Sequence, residues 1–223
     1  NAAITITGNA ADVKTVLAAD GIDTNANVAV TVTGTVSAAD ANTIAGATSG
    51  VVTATVAAAT AASLNAALKN AAADGSDELT LTVNGATATA ADLIALDGKT
   101  SVDVTVDAVA VTGSYTDLYT MYVTNKANFT ALGNENIVID EASTAAADID
   151  TIANATTGKV TATLAAATPI SDATVTALTH VNGTTDVISF TAAATTTADA
   201  TALVALAAKV ITADATAFEG VIA

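Results

Sequence analysis

A repeat constrains this chain more than any other feature. A short strand pattern of apolar residues alternating with threonine recurs, each time followed by an alanine-rich helical pattern. The strand cores are Ile4-Thr5-Ile6-Thr7, Val30-Thr31-Val32-Thr33, Val52-Thr53-Ala54-Thr55, Leu79-Thr80-Leu81-Thr82, Val104-Thr105-Val106 and Val160-Thr161-Ala162-Thr163. Successive copies lie roughly 22–28 residues apart, with one longer gap, inside the window that marks solenoids and arrays. Strands separated by helices imply parallel pairing through crossover connections. Alternating chemistry along each strand implies one buried and one solvated face. The pattern predicts an α/β fold: a parallel strand–helix solenoid, leucine-rich-repeat-like, of about eight layers in one long sheet. Ile4/Ile6, Val30/Val32, Leu79/Leu81 and Val104/Val106 then face the helices, and the threonines form an outer ladder.

Helix boundaries follow from local chemistry. Ser37 with Asp40, Thr89 with Asp92 and Ser114 with Asp117 each place a hydroxyl three residues before an acid. That spacing lets the hydroxyl accept from a free backbone N–H while the acid sits at the positive helix end. Asn9 with Asp12 is a looser version. The expected helices are 10–19, 38–46, 61–72, 90–97, 115–126, 144–154, 172–180 and 198–208. Glycines at 21, 46, 75, 98, 158 and 183 supply their stops. The expected organisation is solenoid repeats over 1–107, an irregular thicker repeat over 108–136 and solenoid repeats with a tail over 137–223, in one continuous domain. The middle segment stands out because it holds all three tyrosines (Tyr115, Tyr119, Tyr122), the only methionine (Met121) and Phe129.

Composition narrows the function classes. Hydrophobic residues make up 52% of the chain but aromatics only 3%, so the core is built mainly from Ala and Val and its layers are thin. The formal charge of −16 disfavours nucleic acid and anionic membrane surfaces as partners. It makes cations, calcium above all, the natural counterions. No run approaches the ~18 apolar residues of a membrane span, so membrane insertion is not expected. The absence of cysteine excludes disulfides and thiolate chemistry.

Three stretches resemble units of known proteins: Thr89-Ala-Ala-Asp-Leu-Ile-Ala-Leu-Asp-Gly-Lys-Thr100; Asp148-Ile-Asp-Thr-Ile-Ala-Asn-Ala-Thr-Thr-Gly158 followed by Lys159-Val-Thr-Ala-Thr163; and Val111-Thr-Gly-Ser-Tyr-Thr-Asp-Leu118 with Ala131 to Ile139. They are similar to the Ala/Thr/Val-rich repeats of very large secreted bacterial surface proteins of adhesin-like, haemolysin-like or surface-layer-like type. The resemblance implies an extracellular, structural role. Many such proteins bind calcium through Gly-Gly-rich nonapeptides. That nonapeptide does not occur in this chain.

Candidate chemistry is sparse. His180 is the single histidine, without a second imidazole or thiolate to complete a transition-metal set. No Gly-x-Ser-x-Gly nucleophile turn, phosphate loop or dinucleotide fingerprint occurs, and no enzyme is expected. Asp74, Asp77 and Glu78 on a glycine turn are the best candidate calcium ligands, being closely spaced hard oxygens. A solvated helix-stop turn is the competing reading. The threonine ladder is read first as β-propensity. Ordering of ice-like water and glycan attachment are the other readings. Asn128-Phe-Thr130, Asn154-Ala-Thr156 and Asn182-Gly-Thr184 are N-glycosylation tripeptides.

An uncapped strand at each end suggests a function. Unpaired strand edges are templates for another chain. The expected assembly interface is Ile4, Thr5 and Ile6 at one end and Val210, Ile211, Phe218, Val221 and Ile222 at the other. Head-to-tail docking of such ends makes an open homopolymer. The expected function is a structural subunit of an extracellular filament or surface layer. A calcium-dependent adhesin repeat is the alternative, and an ice-binding protein a distant third.

Overall fold

The computed structural model describes residues 4–20, 27–72, 75–167, 176–192 and 212–213. They group into two compact units. One comprises 1–108 with 125–131, the other 109–124 with 132–223. Strand and helix patterns become α/β structure in both, and every pairing described is parallel.

In the first unit the chain runs β1 (Thr5–Gly8), α1 (Ala10–Leu17), β2 (Ala29–Val36), α2 (Ala38–Ala45), β3 (Val52–Val56), α3 (Ala61–Ala67), β4 (Glu78–Thr80), β5 (Thr82–Thr89) and α4 (Ala90–Asp97). It enters β6 (Val104–Gly113) and later supplies β7 (Phe129–Thr130). Strands β1 to β4 pair in chain order. Thr7 lies opposite Thr31, Thr31 opposite Thr53, and Thr53 opposite Glu78.

The second unit contains the rest of β6, α5 (Tyr115–Tyr119), a π-helical turn (Thr120–Thr124), β8 (Asn136–Ile139), α6 (Ala146–Ala155), β9 (Val160–Ala167), β10 (Val187–Ala192) and β11 (Thr212–Ala213). Here Ile137 pairs with Val160, Thr161 with Val187, and Ser189 with Thr212. The described strands make two sheets, of four and seven strands, rather than the single sheet expected. The break falls at Leu81, between β4 and β5.

Alternation sorts the side chains as the sequence implies. Val30, Val52, Ala54, Leu79, Leu81, Val104, Val106, Ile137 and Val160 are buried, and the threonines between them are exposed or half-buried. From the helices come Ile44, Leu64, Leu93, Leu96, Leu118, Ile149 and Ile152, each fully buried. Each such side chain contributes about 1.5–3 kcal/mol by leaving water. That packing is essential, because helices of 5–10 residues are too short to persist alone. Ile4 departs from expectation. It is 68% exposed, not packed on the helices. It precedes an edge strand whose single partner among the described residues is β2.

The caps form as the spacing requires. Asn9, Ser37, Thr89 and Ser114 accept from the N–H groups of Asp12, Asp40, Asp92 and Asp117. Thr60 caps α3 in the same way through Ser63 N–H, although no acid follows it. Helix α3 stops at Ala67, short of the expected 72. Beyond it, side-chain acceptors take two of the amides: Asn70 N–H donates to Asn42 Oδ1 at 2.6 Å and Ala72 N–H to Asp77 Oδ2 at 2.9 Å. Side-chain acceptors compete with the helical ladder and end it.

Candidate functional site

Among the described residues, the buried polar side chains Asp77, Thr100, Glu135 and Asp186 lie at turns that precede strands, and two of them repeat the same device. Asp77 precedes β4 and is 3% exposed. Its Oδ1 accepts from Val52 N–H, the first amide of β3, at 2.9 Å, and its Oδ2 from Ala72 N–H of its own turn. Asp186 precedes β10 and does the same in the second unit. Oδ1 accepts from Val160 N–H at 2.7 Å and Oδ2 from Asn182 N–H at 2.8 Å. Each carboxylate thus ties a strand start to the strand before it. Charge-assisted bonds to buried amides are the strong kind.

Threonines make a second device. Thr48, Thr100 and Thr156 donate their hydroxyls to the carbonyls of Val28, Leu79 and Glu135, 20 or 21 residues earlier. The same oxygens accept from the amides of Gly50, Val102 and Gly158, two residues on. At two of these three places the backbone also passes too close for a side chain. A Cβ on Gly50 would lie 2.4 Å from the Val28 carbonyl, and one on Gly158 would lie 2.1 Å from that of Glu135.

Glu135 is the third buried acid, 2% exposed. Its Oε2 accepts from Gly133 N–H at 2.8 Å and from the Tyr122 hydroxyl at 3.1 Å. Its Oε1 has no partner. Tyr122 reaches it from the π-helical turn, where Met121 and Tyr122 are both fully buried. Burial first, and the Glu135 charge second, push the Tyr122 hydroxyl far above its ordinary range. The concentration of large side chains at 115–129 marked this segment in the sequence. Nothing local marked Glu135.

His180 pairs with Asp150. Asp150 of α6 accepts from His180 N–H at 2.5 Å, and its Oδ2 lies 2.8 Å from His180 Nδ1. Thr179 Oγ1 donates to the same Oδ2 at 3.0 Å and lies 3.1 Å from the same Nδ1. A nucleophile–His–Asp relay needs hydroxyl and carboxylate on different ring nitrogens. Here both sit on one, and the group serves to fasten the turn to α6. Burial alone would raise the Asp150 carboxyl, but the bonds from His180 and Thr179 outweigh it and hold it below the usual range.

Of the candidate calcium ligands, Asp77 and Glu78 lie among the described residues. Asp74 lies outside the described residues. Both oxygens of Asp77 are occupied by backbone amides, whereas Glu78, next along the chain, is exposed and accepts from Thr53 Oγ1 at 2.9 Å. Among the described residues no three acidic or imidazole side chains converge on a metal position. An open polar depression of about 330 Å³ lies at Asp97, Ser101, Asp103 and Asn128. Its Asp97 carboxylate accepts from Asn128 Nδ2, and its Ser101 hydroxyl donates to the Asp77 carbonyl.

The threonine ranks are short. Thr7, Thr31 and Thr53 align, but Glu78 ends the rank, and the β2–β3 register shifts between Thr31 and Thr35. Gly34, with φ +76°, lies inside that shift. Of the expected assembly residues, Ile4, Thr5 and Ile6 lie at an edge of the first sheet that has no outer partner among the described residues, with Ile4 and Thr5 exposed and Ile6 half-buried. Val210, Ile211, Phe218, Val221 and Ile222 lie outside the described residues. No helix among the described residues is long and apolar enough to cross a membrane. No protein-family model, curated protein or solved structure matches the chain.

Proposed function

We propose that this chain is a structural module that assembles head to tail outside the cell, as a filament or surface-layer subunit. On this reading it is a parallel strand–helix solenoid of about eight layers. Chain-order pairing of β1 to β4 supports that reading, as do partners about one repeat apart, such as Val30 with Val52 and Ile137 with Val160. The recurring carboxylate and threonine ties at the turns support it too. The sequence resemblance, with no converging catalytic groups among the described residues, favours a structural role over an enzymatic one.

The observation that carries assembly is the edge of β1. Its outer backbone groups face no strand among the described residues, and Ile4 beside it is 68% exposed. Such an edge accepts another strand by backbone hydrogen bonding. The occupant is a strand from the far end of a second copy, and repetition of a contact that does not close gives a fibre. Purified protein is followed by light scattering and negative-stain electron microscopy at raised ionic strength, which screens the repulsion between acidic copies. Fibres are expected, and Thr5→Pro, which removes an outward-facing edge amide and stiffens the strand, is expected to abolish them. Absence of fibres from the unaltered protein, or unchanged fibres from the variant, overturns the proposal.

A further inference from the structure

The three Asn-x-Thr tripeptides are chemically alike in sequence but not in the fold. Asn128 has its amide nitrogen donating to Asp97 Oδ2 at 3.0 Å, and Thr130 shares its hydroxyl with Thr105 at 2.9 Å. The residue between them, Phe129, is buried in β7. Asn154 belongs to α6, and the hydroxyl of Thr156 donates to the Glu135 carbonyl. In both, the hydroxyl is turned away from its asparagine.

Asn182 is different. It and Thr184 are exposed on a turn between the 176–177 helical residues and β10. Thr184 Oγ1 donates to Asn182 Oδ1 at 2.7 Å, and Thr184 N–H donates to the same oxygen at 3.0 Å. The backbone of Asn182 is held by Asp186, so the carboxamide stands on an anchored base. Two donors on Oδ1 favour the imidate form of the amide as a base withdraws an Nδ2 proton. That raises the nucleophilicity of Nδ2.

We propose that Asn182 is an N-glycan acceptor, modified in the folded protein in preference to Asn128 and Asn154. The co-substrate is an oligosaccharide carried on a polyprenyl diphosphate. Nδ2 attacks the anomeric carbon and a C–N bond forms. The anomeric C–O bond to phosphate breaks, and its electron pair leaves with the diphosphate. The Nδ2 proton passes to a base on the transferase, and nothing is oxidised or reduced. The inference does not depend on assembly, because it concerns one turn of a single subunit.

The test uses the folded full chain with an Asn-x-Thr-accepting oligosaccharyltransferase and its lipid-linked oligosaccharide. Synthetic peptides of the three tripeptides serve as controls for intrinsic reactivity. Trypsin cuts after Lys126, Lys159 and Lys209, so peptide 160–209 carries Asn182 alone and peptide 127–159 carries the other two. The expected result is one glycan, on 160–209, at least tenfold more complete than on 127–159. Asn182→Gln removes it. Thr184→Ser, which keeps the hydroxyl, retains it. Equal or greater modification of 127–159, or none on 160–209 while its free peptide is modified, overturns the proposal.

Discussion

Replacing Asp77 with alanine isolates the turn device from every other feature of the chain. The carboxylate holds two amides: that of Val52, which is buried, and that of Ala72, which is partly so. A hydrogen bond to a charged group is worth about 1.5–3 kcal/mol, and an orphaned buried donor costs about 1–3 kcal/mol. The Val52 amide falls at the upper end of that range and the Ala72 amide at the lower. Asp77→Ala should therefore destabilise the first unit by about 3–4 kcal/mol. For a chain of this size that is a fall of roughly 6–16 °C in its melting midpoint. Asp77→Asn keeps one acceptor but turns an N–H₂ towards the second amide, and should lose about half as much or more. Glu78→Ala removes an acid from the same turn that is exposed and bonded to one threonine hydroxyl, and should change stability by less than about 0.5 kcal/mol. Urea unfolding gives the free energies. Hydrogen exchange at the Val52 amide, accelerated in Asp77→Ala and unchanged in Glu78→Ala, locates the loss. A cost below about 1 kcal/mol for Asp77→Ala, or equal costs for the two acids, would show that the buried carboxylate does not hold the strands.

Gly158→Ala should destabilise by about 1–3 kcal/mol or more, because its Cβ meets a backbone carbonyl that cannot step aside. Gly98→Ala, with backbone no nearer than 3.7 Å and φ −67°, should be neutral or slightly stabilising in the same denaturation assay. Because the folded state keeps the Tyr122 hydroxyl protonated while an unfolded tyrosine ionises near pH ~10, stability should fall as pH rises beyond that value. Tyr122→Phe should flatten that alkaline limb in pH-dependent urea melts, while costing about 1–3 kcal/mol at neutral pH by leaving Glu135 short of a donor. Asp150 has the opposite sign. Its folded carboxyl is held below the unfolded value, so its contribution is present above the ordinary carboxylate range and disappears as pH falls through the lowered one. Amide exchange at His180 should rise over that acid window, and Asp150→Asn should remove the pH dependence.

Local chemistry made much of the fold legible. The hydroxyl-to-acid spacings at Ser37, Thr89 and Ser114 named real helix starts, because a cap is decided within four residues. The alternation at Val30-Thr31-Val32 named a real buried face for the same reason. The candidate site was less legible. Asp77 reads in sequence as one more turn acid beside Glu78, and both suit a hard cation. The amide that claims Asp77 is 25 residues away in Val52. Ile4 reads as core by alternation and is exposed by its place beside an edge strand.

By itself the sequence determined where helices begin, which strand face is apolar, and that strands alternate with helices, since these depend on propensity, capping and period along the chain. Tertiary structure alone decided which of two adjacent acids is buried. It also decided which glycine must lack a side chain, and which of three Asn-x-Thr tripeptides keeps its hydroxyl on its own asparagine. Those outcomes rest on groups roughly 20 to 30 residues distant in sequence, brought within reach only once parallel strands pair in register.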